Sequence, residues 1–290
     1  MALIAYLDDS REYWNGLGFH AFAGYIAPAE FWDTTFAPRW KRILDGAPLP
    51  ISEWKSSDCG ALKGEYKGWT REQAHALTVQ VVDEIVAHPY ATMFGFGCVV
   101  LIPQFGDDRT AKQIEEVSLM VCIANILGAV CKFAALSGKP APIQFVCDQQ
   151  PDIEGRLRDL WNRAVARVNA EAWGGVQLSN LDFKDSRKVL PIQAADLLAY
   201  ETRKDLKNRI QRPEYPMSRV IERLQRGHPH IALYMDGEML ADMFRHSEDG
   251  WRGFGLLYNS APFSLFTPSG PLVEVEDPRP VRPIDSLSGR

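Results

Sequence analysis

The chain opens with an unbroken apolar run, Leu3-Ile4-Ala5-Tyr6-Leu7, that passes directly into Asp8-Asp9-Ser10. A run of this length, ending in charge, predicts a buried central strand. Phe19 to Ile26 predicts a second strand, and Gly16 and Gly18 between the two predict a hairpin, hence antiparallel pairing. Trp32, Phe36, Trp40 and Leu44, four residues apart, predict an amphipathic helix over 29–44, kinked or interrupted at Pro38. Ile51 to Lys55 alternates apolar and polar residues. Thr70 and Gln73 form a capping-box start for a helix running to about His88. Thr92 to Pro103 predicts a long strand whose two glycines mark a bend or bulge. A long helix follows over 111–136, with Gly138 as its C-cap.

Pro142 to Asp148 is another mostly apolar strand that ends in a carboxylate, and 152–173 reads as a helix. Val176 to Phe183 alternates with one slip and predicts a fifth strand. Pro191, suited to the first position of a helix, opens Ile192-Gln193-Ala194-Ala195-Asp196-Leu197-Leu198-Ala199-Tyr200. Between Arg203 and Arg226, eight Lys and Arg stand against three Asp and Glu. A short helix is expected over 233–246. From Pro262 onward the chain is rich in proline and predicts an extended or disordered tail. The order of elements implies one mixed α/β domain over 1–261, with 203–246 as a helical, basic extension and 262–290 as the tail.

Composition narrows the function classes. At 290 residues, 46% hydrophobic and 24% charged, the chain is an ordinary globular sequence with enough material for a large core. A formal net charge of −5 argues against wholesale non-specific nucleic-acid binding, though not against a local basic groove. No apolar run is long enough to predict a membrane span, and no signal-peptide pattern opens the chain. The five cysteines form no CxxC pair, and an odd number resists a closed disulfide set, so a cytoplasmic protein is expected.

Three carboxylates are placed where a folded sheet would bring them together. Asp8 and Asp148 end buried strands, and Asp196 sits on an apolar helix between small alanines that permit close approach to the sheet. If the two strands are parallel and adjacent, their C-terminal ends form the edge where α/β ligand sites lie. Plainer readings exist: Asp8-Asp9-Ser10 as a turn, and Asp196 as the partner of a buried cation such as Arg203. Carboxylates that converge repel one another unless cations neutralise them, and hard divalent ions such as Mg²⁺ or Mn²⁺ take such oxygen ligands. Gly227-His228-Pro229-His230 lacks the spacing of a zinc site. No P-loop, GxGxxG or GxSxG motif occurs.

The segments YLDDS, SEWKSS and FKDSRKVLPIQAADLLAY resemble the domain-of-unknown-function 3800 family, over roughly Leu3 to Tyr200. That family is regarded as having an RNase-H-like fold and as a family of nucleases. The resemblance implies Asp8, Asp148 and Asp196 as metal ligands, Glu53 as a fourth ligand or general base, and Lys55 as a phosphate-facing cation. It also implies a two-metal nuclease acting on DNA or RNA, with a catalytically inactive binding module as the alternative. Glu115 and Glu116 compete with Glu53 for the fourth acidic position. Ser10 and Gln193 are candidates for orienting the carboxylates. Two features depart from the family pattern: Asp9 stands where it has Glu, and Arg187 stands between Ser186 and Lys188.

Overall fold

The computed structural model describes residues 2–14, 17–88, 92–103, 108–136, 142–170, 176–212, 214, 216–227 and 231–235. In chain order the elements begin with strands β1 (Leu3–Trp14) and β2 (Leu17–Pro28). The short helix α1 (Ala29–Phe31), a π-helical stretch Trp32–Phe36 and α2 (Ala37–Asp45) follow. Next come α3 (Ser56–Ala61), α4 (Arg71–Val86), β3 (Phe94–Pro103), α5 (Asp108–Leu136), β4 (Ile143–Asp148) and α6 (Glu154–Ala170). The described chain closes with β5 (Leu178–Lys184), α7 (Pro191–Gln211), α8 (Arg219–Gly227) and β6 (Ile231–Met235).

The strands form one mixed sheet in the order β5-β4-β1-β2-β3-β6. β1, the first apolar run of the sequence, lies inside it, antiparallel to β2 and parallel to β4. β2 and β3 are antiparallel, while β4 with β5 and β3 with β6 are parallel. Helices cover both faces, and strand alternation decides what each face receives. Leu3, Ala5 and Leu7 join Ile143, Phe145 and Cys147 in a core shared with α5 and α6. The alternate residues, Tyr6 with its partner Tyr25 and Ala23, join α2, α4 and α7 in the second core. Each large side chain withdrawn completely from water, such as Trp161 in the first core or Trp40 in the second, contributes about 1.5–3 kcal/mol.

Several sequence expectations change shape. The predicted helix is interrupted just before Pro38, by a π-helical stretch, but does not end there. That wider turn has Ala37 N–H bonded to the Trp32 carbonyl, and the chain passes Pro38, which has no N–H to donate, within one continuous helical stretch. The capping box of α4 forms as expected, with Thr70 and Gln73 bonded reciprocally. The glycines of β3 produce no bulge, since its pairing with β2 runs in continuous register. The slip in β5 does produce one, as a register shift between Ile143 and Phe145. Residues 231–235 are a strand and not the start of a helix: pairing with the open edge of β3 outweighs local helical spacing. The expected C-cap at Gly138, the helix beyond Met235 and the proline-rich tail lie outside the described residues.

β2 passes so close to β1 that a Cβ on Gly24 would stand 1.9 Å from the Tyr6 carbonyl oxygen, a backbone atom that cannot move aside without breaking the ladder. Gly24→Ala is therefore expected to destabilise the fold by about 3 kcal/mol or more, the upper end for overpacking. Urea unfolding followed by tryptophan fluorescence measures the loss.

Candidate active site

The parallel pairing of β1 with β4 runs to Leu7 opposite Cys147, so Asp8 and Asp148 follow in register as neighbours. Asp148 ends β4 as expected, whereas Asp8 neither ends its strand nor begins a turn, because β1 continues to Trp14 in its ladder with β2. Both belong to the alternation that faces α7, and both are buried. Ile192, Ala194, Leu197 and Leu198 pack α7 onto this face and carry Asp196 over the pair. There its charge acts directly on the Asp8 carboxyl. The plainer pairing of Asp196 with Arg203 is not made: Arg203 donates to Ser10 Oγ at 2.7 Å and pairs with Glu12.

The fourth contribution comes from the segment before α3. Lys55 Nζ lies 3.3 Å from Asp148 Oδ2 and 3.9 Å from Asp196 Oδ1. The backbone N–H of Ser56 donates to Asp196 Oδ2 at 2.8 Å. Glu53 accepts a short hydrogen bond from Ser186 Oγ, and Ser186 N–H donates to Asp148 Oδ1 at 3.2 Å. Glu53 is thus joined to the cluster through one serine. Glu116 is not, since it packs from α5 on the opposite face, 3.6 Å from Arg163. The side chain of Glu115 lies outside the described residues.

No regular secondary structure holds residues 53–55, and Gln193 takes its place. Fully buried, its Oε1 accepts from the Trp40 indole at 2.8 Å and from Trp54 N–H at 2.9 Å, while its Nε2 donates to the Ser186 carbonyl at 2.8 Å. One amide thereby fixes α2, the Glu53–Lys55 segment and the Ser186 loop to α7. Ser10 has no such role, because it serves Arg203. Two orienting residues escaped the sequence reading. Gln150 donates to Asp8 Oδ1 at 3.0 Å, and Ser186 joins Glu53 to Asp148. Their only signal was position, directly beyond β4 and within the polar loop before α7.

Asp9 leaves the site altogether. Strand alternation turns it to the other face, where its carboxylate lies 2.7 Å from Arg11 Nε and 3.6 Å from His20 Nε2. Burial pushes the Asp9 carboxyl up, but the hydrogen bonds and charges of His20, Arg11 and Gln150 prevail and hold it below the usual range. Its shorter length relative to the family's Glu therefore does not bear on the cluster. Arg187 is exposed and chelated by Asp185 at 2.9 and 3.1 Å, so the cation inside the cluster is Lys55.

Burial, followed by repulsion from Asp196 and Asp9, pushes the Asp8 carboxyl well above the usual carboxylate range. Asp196 is pushed up by burial against the pull of Lys55 and Ser56. Lys55 is pushed the other way from burial alone: Asp196, Asp8, Asp148 and Glu53 together outweigh desolvation and raise it. Acidic groups outnumber cations here, and all their donor atoms are oxygen, the chemistry that hard divalent ions take. In that respect the residues fit Mg²⁺ or Mn²⁺. The cation present among these oxygens is the Lys55 ammonium, at 3.3 and 3.9 Å, whereas such metal ions take oxygens at about 2.0–2.2 Å. Among the described residues no three His, Cys, Asp or Glu are gathered closely enough to hold a metal as they stand. The sequence matches no protein-family model and no curated protein.

Two outcomes follow. Gln193→Leu strands the Trp40 indole, the Trp54 N–H and the Ser186 carbonyl, each at about 1–3 kcal/mol if left unpaired, so a loss of about 3 kcal/mol or more is expected in chemical denaturation. Asp8→Asn keeps the acceptor used by Gln150 and Asp9 N–H but removes a repelled charge. Because the folded protein binds the Asp8 proton more tightly than the unfolded chain, wild-type stability falls as pH rises through the interval between the two pKa values. The gain from Asp8→Asn is therefore largest above the folded-state pKa of Asp8 and vanishes below pH 4, roughly the unfolded value. Melting of both proteins across pH 3.5–8.5 checks this.

Proposed function

We propose that the chain is a divalent-metal-dependent phosphodiesterase of RNase-H-like fold, cleaving the backbone of nucleic acid, and a relative of the domain-of-unknown-function 3800 family. The observation that carries this reading is the convergence of Asp8, Asp148 and Asp196 from three separate elements, with Lys55 as the one cation among them. A protein gains nothing in stability from gathering buried like charges, so such a cluster points to a cationic ligand. The site lies where the parallel pairing of β1 with β4 ends and β4 leaves the sheet at its carboxyl end, the side on which α/β ligand sites usually lie. The mixed sheet covered on both faces is consistent with the proposed fold. The five cysteines are free and buried, which suits a reducing, cytoplasmic setting. Among the described residues no helix is long and apolar enough to cross a membrane.

In this reading Asp8, Asp148 and Asp196 would hold Mg²⁺ or Mn²⁺. A pair of such ions supplies an activated water and stabilises the departing oxygen of a phosphodiester. Glu53, held by Ser186, is the carboxylate available as a further ligand or to take up a proton. Ser56 N–H, Gln150 and Ser186 orient the carboxylates. Lys55, with its side chain 36% exposed, would meet the scissile phosphate. The basic segment after Tyr200 gives less support to a nucleic-acid partner than its charge suggested. Lys207 pairs with Glu12, Lys204 with Glu201, Arg209 with Asp205 and Arg223 with Asp83.

A second reading, a catalytically inactive binding module, is favoured by the Lys55 ammonium already seated among the carboxylates, with no three acidic groups among the described residues gathered closely enough to hold a metal. The two are separated by Mn²⁺ at millimolar concentration. The enzyme reading expects a rise in melting temperature and Mn²⁺-dependent cleavage of labelled DNA or RNA. Asp196→Asn should abolish both effects while changing metal-free stability by less than about 1 kcal/mol, because Lys55 keeps Asp148 as partner. A wild-type protein with neither thermal shift nor cleavage would favour the inactive module.

A further inference from the structure

Lys55 is anchored by its backbone, and its side chain is held only at the tip, by Asp148 and Asp196. Its N–H donates to the Tyr66 hydroxyl, which in turn donates to the Glu53 carbonyl, and Gln193 holds Trp54 immediately before it. The ammonium at the end of four rotatable carbons reaches Asp148 and Asp196, and about a third of the side chain faces solvent. Its N···O separations of 3.3 and 3.9 Å place it between the two carboxylates. A lysine is a compact monocation with no preferred fork geometry, so it fills such a cluster without fixing where each oxygen points.

We infer that Lys55 is a tethered counter-ion that holds the carboxylate cluster together in the metal-free protein and yields its place to a divalent cation. This rests on the metal-dependent reading of the same site. When the cation enters, Asp148 and Asp196 close onto it. The ammonium, repelled, swings to the exposed mouth of the site without leaving its backbone anchor. The displacement breaks no covalent bond and exchanges one charge for another. It makes the cost of dislodging Lys55 part of the metal affinity, so the wild-type protein binds the ion more weakly than its acidic residues alone would. A site built this way stays folded and compensated when the metal is scarce.

Lys55→Met keeps the length of the side chain and removes its charge. Calorimetric titration with MnCl₂ alone is expected to give binding at least about tenfold tighter than wild type. In the variant the ion no longer displaces an ammonium held by two carboxylates, and a unit-charge attraction at about 4 Å, even at an effective dielectric constant of 20, is worth more than one power of ten. The metal-free variant should melt lower than wild type, with the deficit recovered in Mn²⁺. Binding by both proteins with equal affinity, or weaker binding by the variant, overturns the counter-ion role and leaves the metal-dependent reading standing. Binding by the variant alone upholds the counter-ion role while the wild-type enzyme reading fails. Absence of binding by both overturns the two together.

A measurement on the wild-type chain covers a variant that fails to fold. Trace acetylation read by mass spectrometry should show Lys55 slow relative to exposed Lys41 without metal and several-fold faster with Mn²⁺. An unchanged ratio in a protein that binds Mn²⁺ overturns the inference.

Discussion

The amide of Gln193 is the interaction on which the rest of the site depends. Three hydrogen bonds from one fully buried side chain fix a helix, an irregular segment and a loop in a single frame. Backbone hydrogen bonding in residues 50–55 is sparse, and a segment without a ladder holds its place only if something buried pairs with it. The glutamine does so at Trp54, between the two residues, Glu53 and Lys55, that the segment delivers. The π-helical turn before α2 matters for the same reason. It carries the chain past Pro38 within one continuous helical stretch and leaves Trp40 buried with its indole on Gln193.

Charge imposes the second constraint. Asp8, Asp148 and Asp196 arrive from three elements that the apolar cores have already positioned, so their repulsion is accepted rather than avoided. Lys55 offsets part of it, and hydrogen bonds from Ser56, Ser186, Gln150 and the Asp9 backbone offset more. Stability drawn from hydrophobic burial on both faces of the sheet is thereby spent, in part, on a polar cluster at its edge. Such concentration of cost at one place is the usual mark of a functional site.

The opposite face has its own polar group, and the contrast is instructive. Asp9 adjoins Asp8 in the chain, yet it pairs with Arg11 and stands near His20, whose Nδ1 lies 3.2 Å from Ser118 Oγ. These groups are buried between β1, β2 and α5 and serve the fold. Two adjacent aspartates thus perform separate tasks because a strand sends successive side chains to opposite sides.

The sequence by itself determined the strands and long helices, since apolar runs, the Thr70 capping box and Pro191 are local signals that survive in any surroundings. It also singled out Asp8, Asp148 and Asp196, because a carboxylate ending an apolar run or set within an apolar helix stands out in one dimension. Tertiary structure alone decided which face each occupied relative to its neighbours. Of the described candidates for the fourth acidic position, Glu53 is joined to the cluster through Ser186, while Glu116 sits on α5 beside Arg163. Tertiary structure alone supplied Gln150 and Ser186, whose hydrogen bonds span well over a hundred residues or several tens and leave no mark on local composition. It made strand of residues 233–235, where the helix was predicted to start, through pairing with β3 that no local pattern encodes. And it showed the cations beyond Tyr200 to be engaged with Glu12, Asp83, Glu201 and Asp205, since net charge counts residues and says nothing of which charges meet.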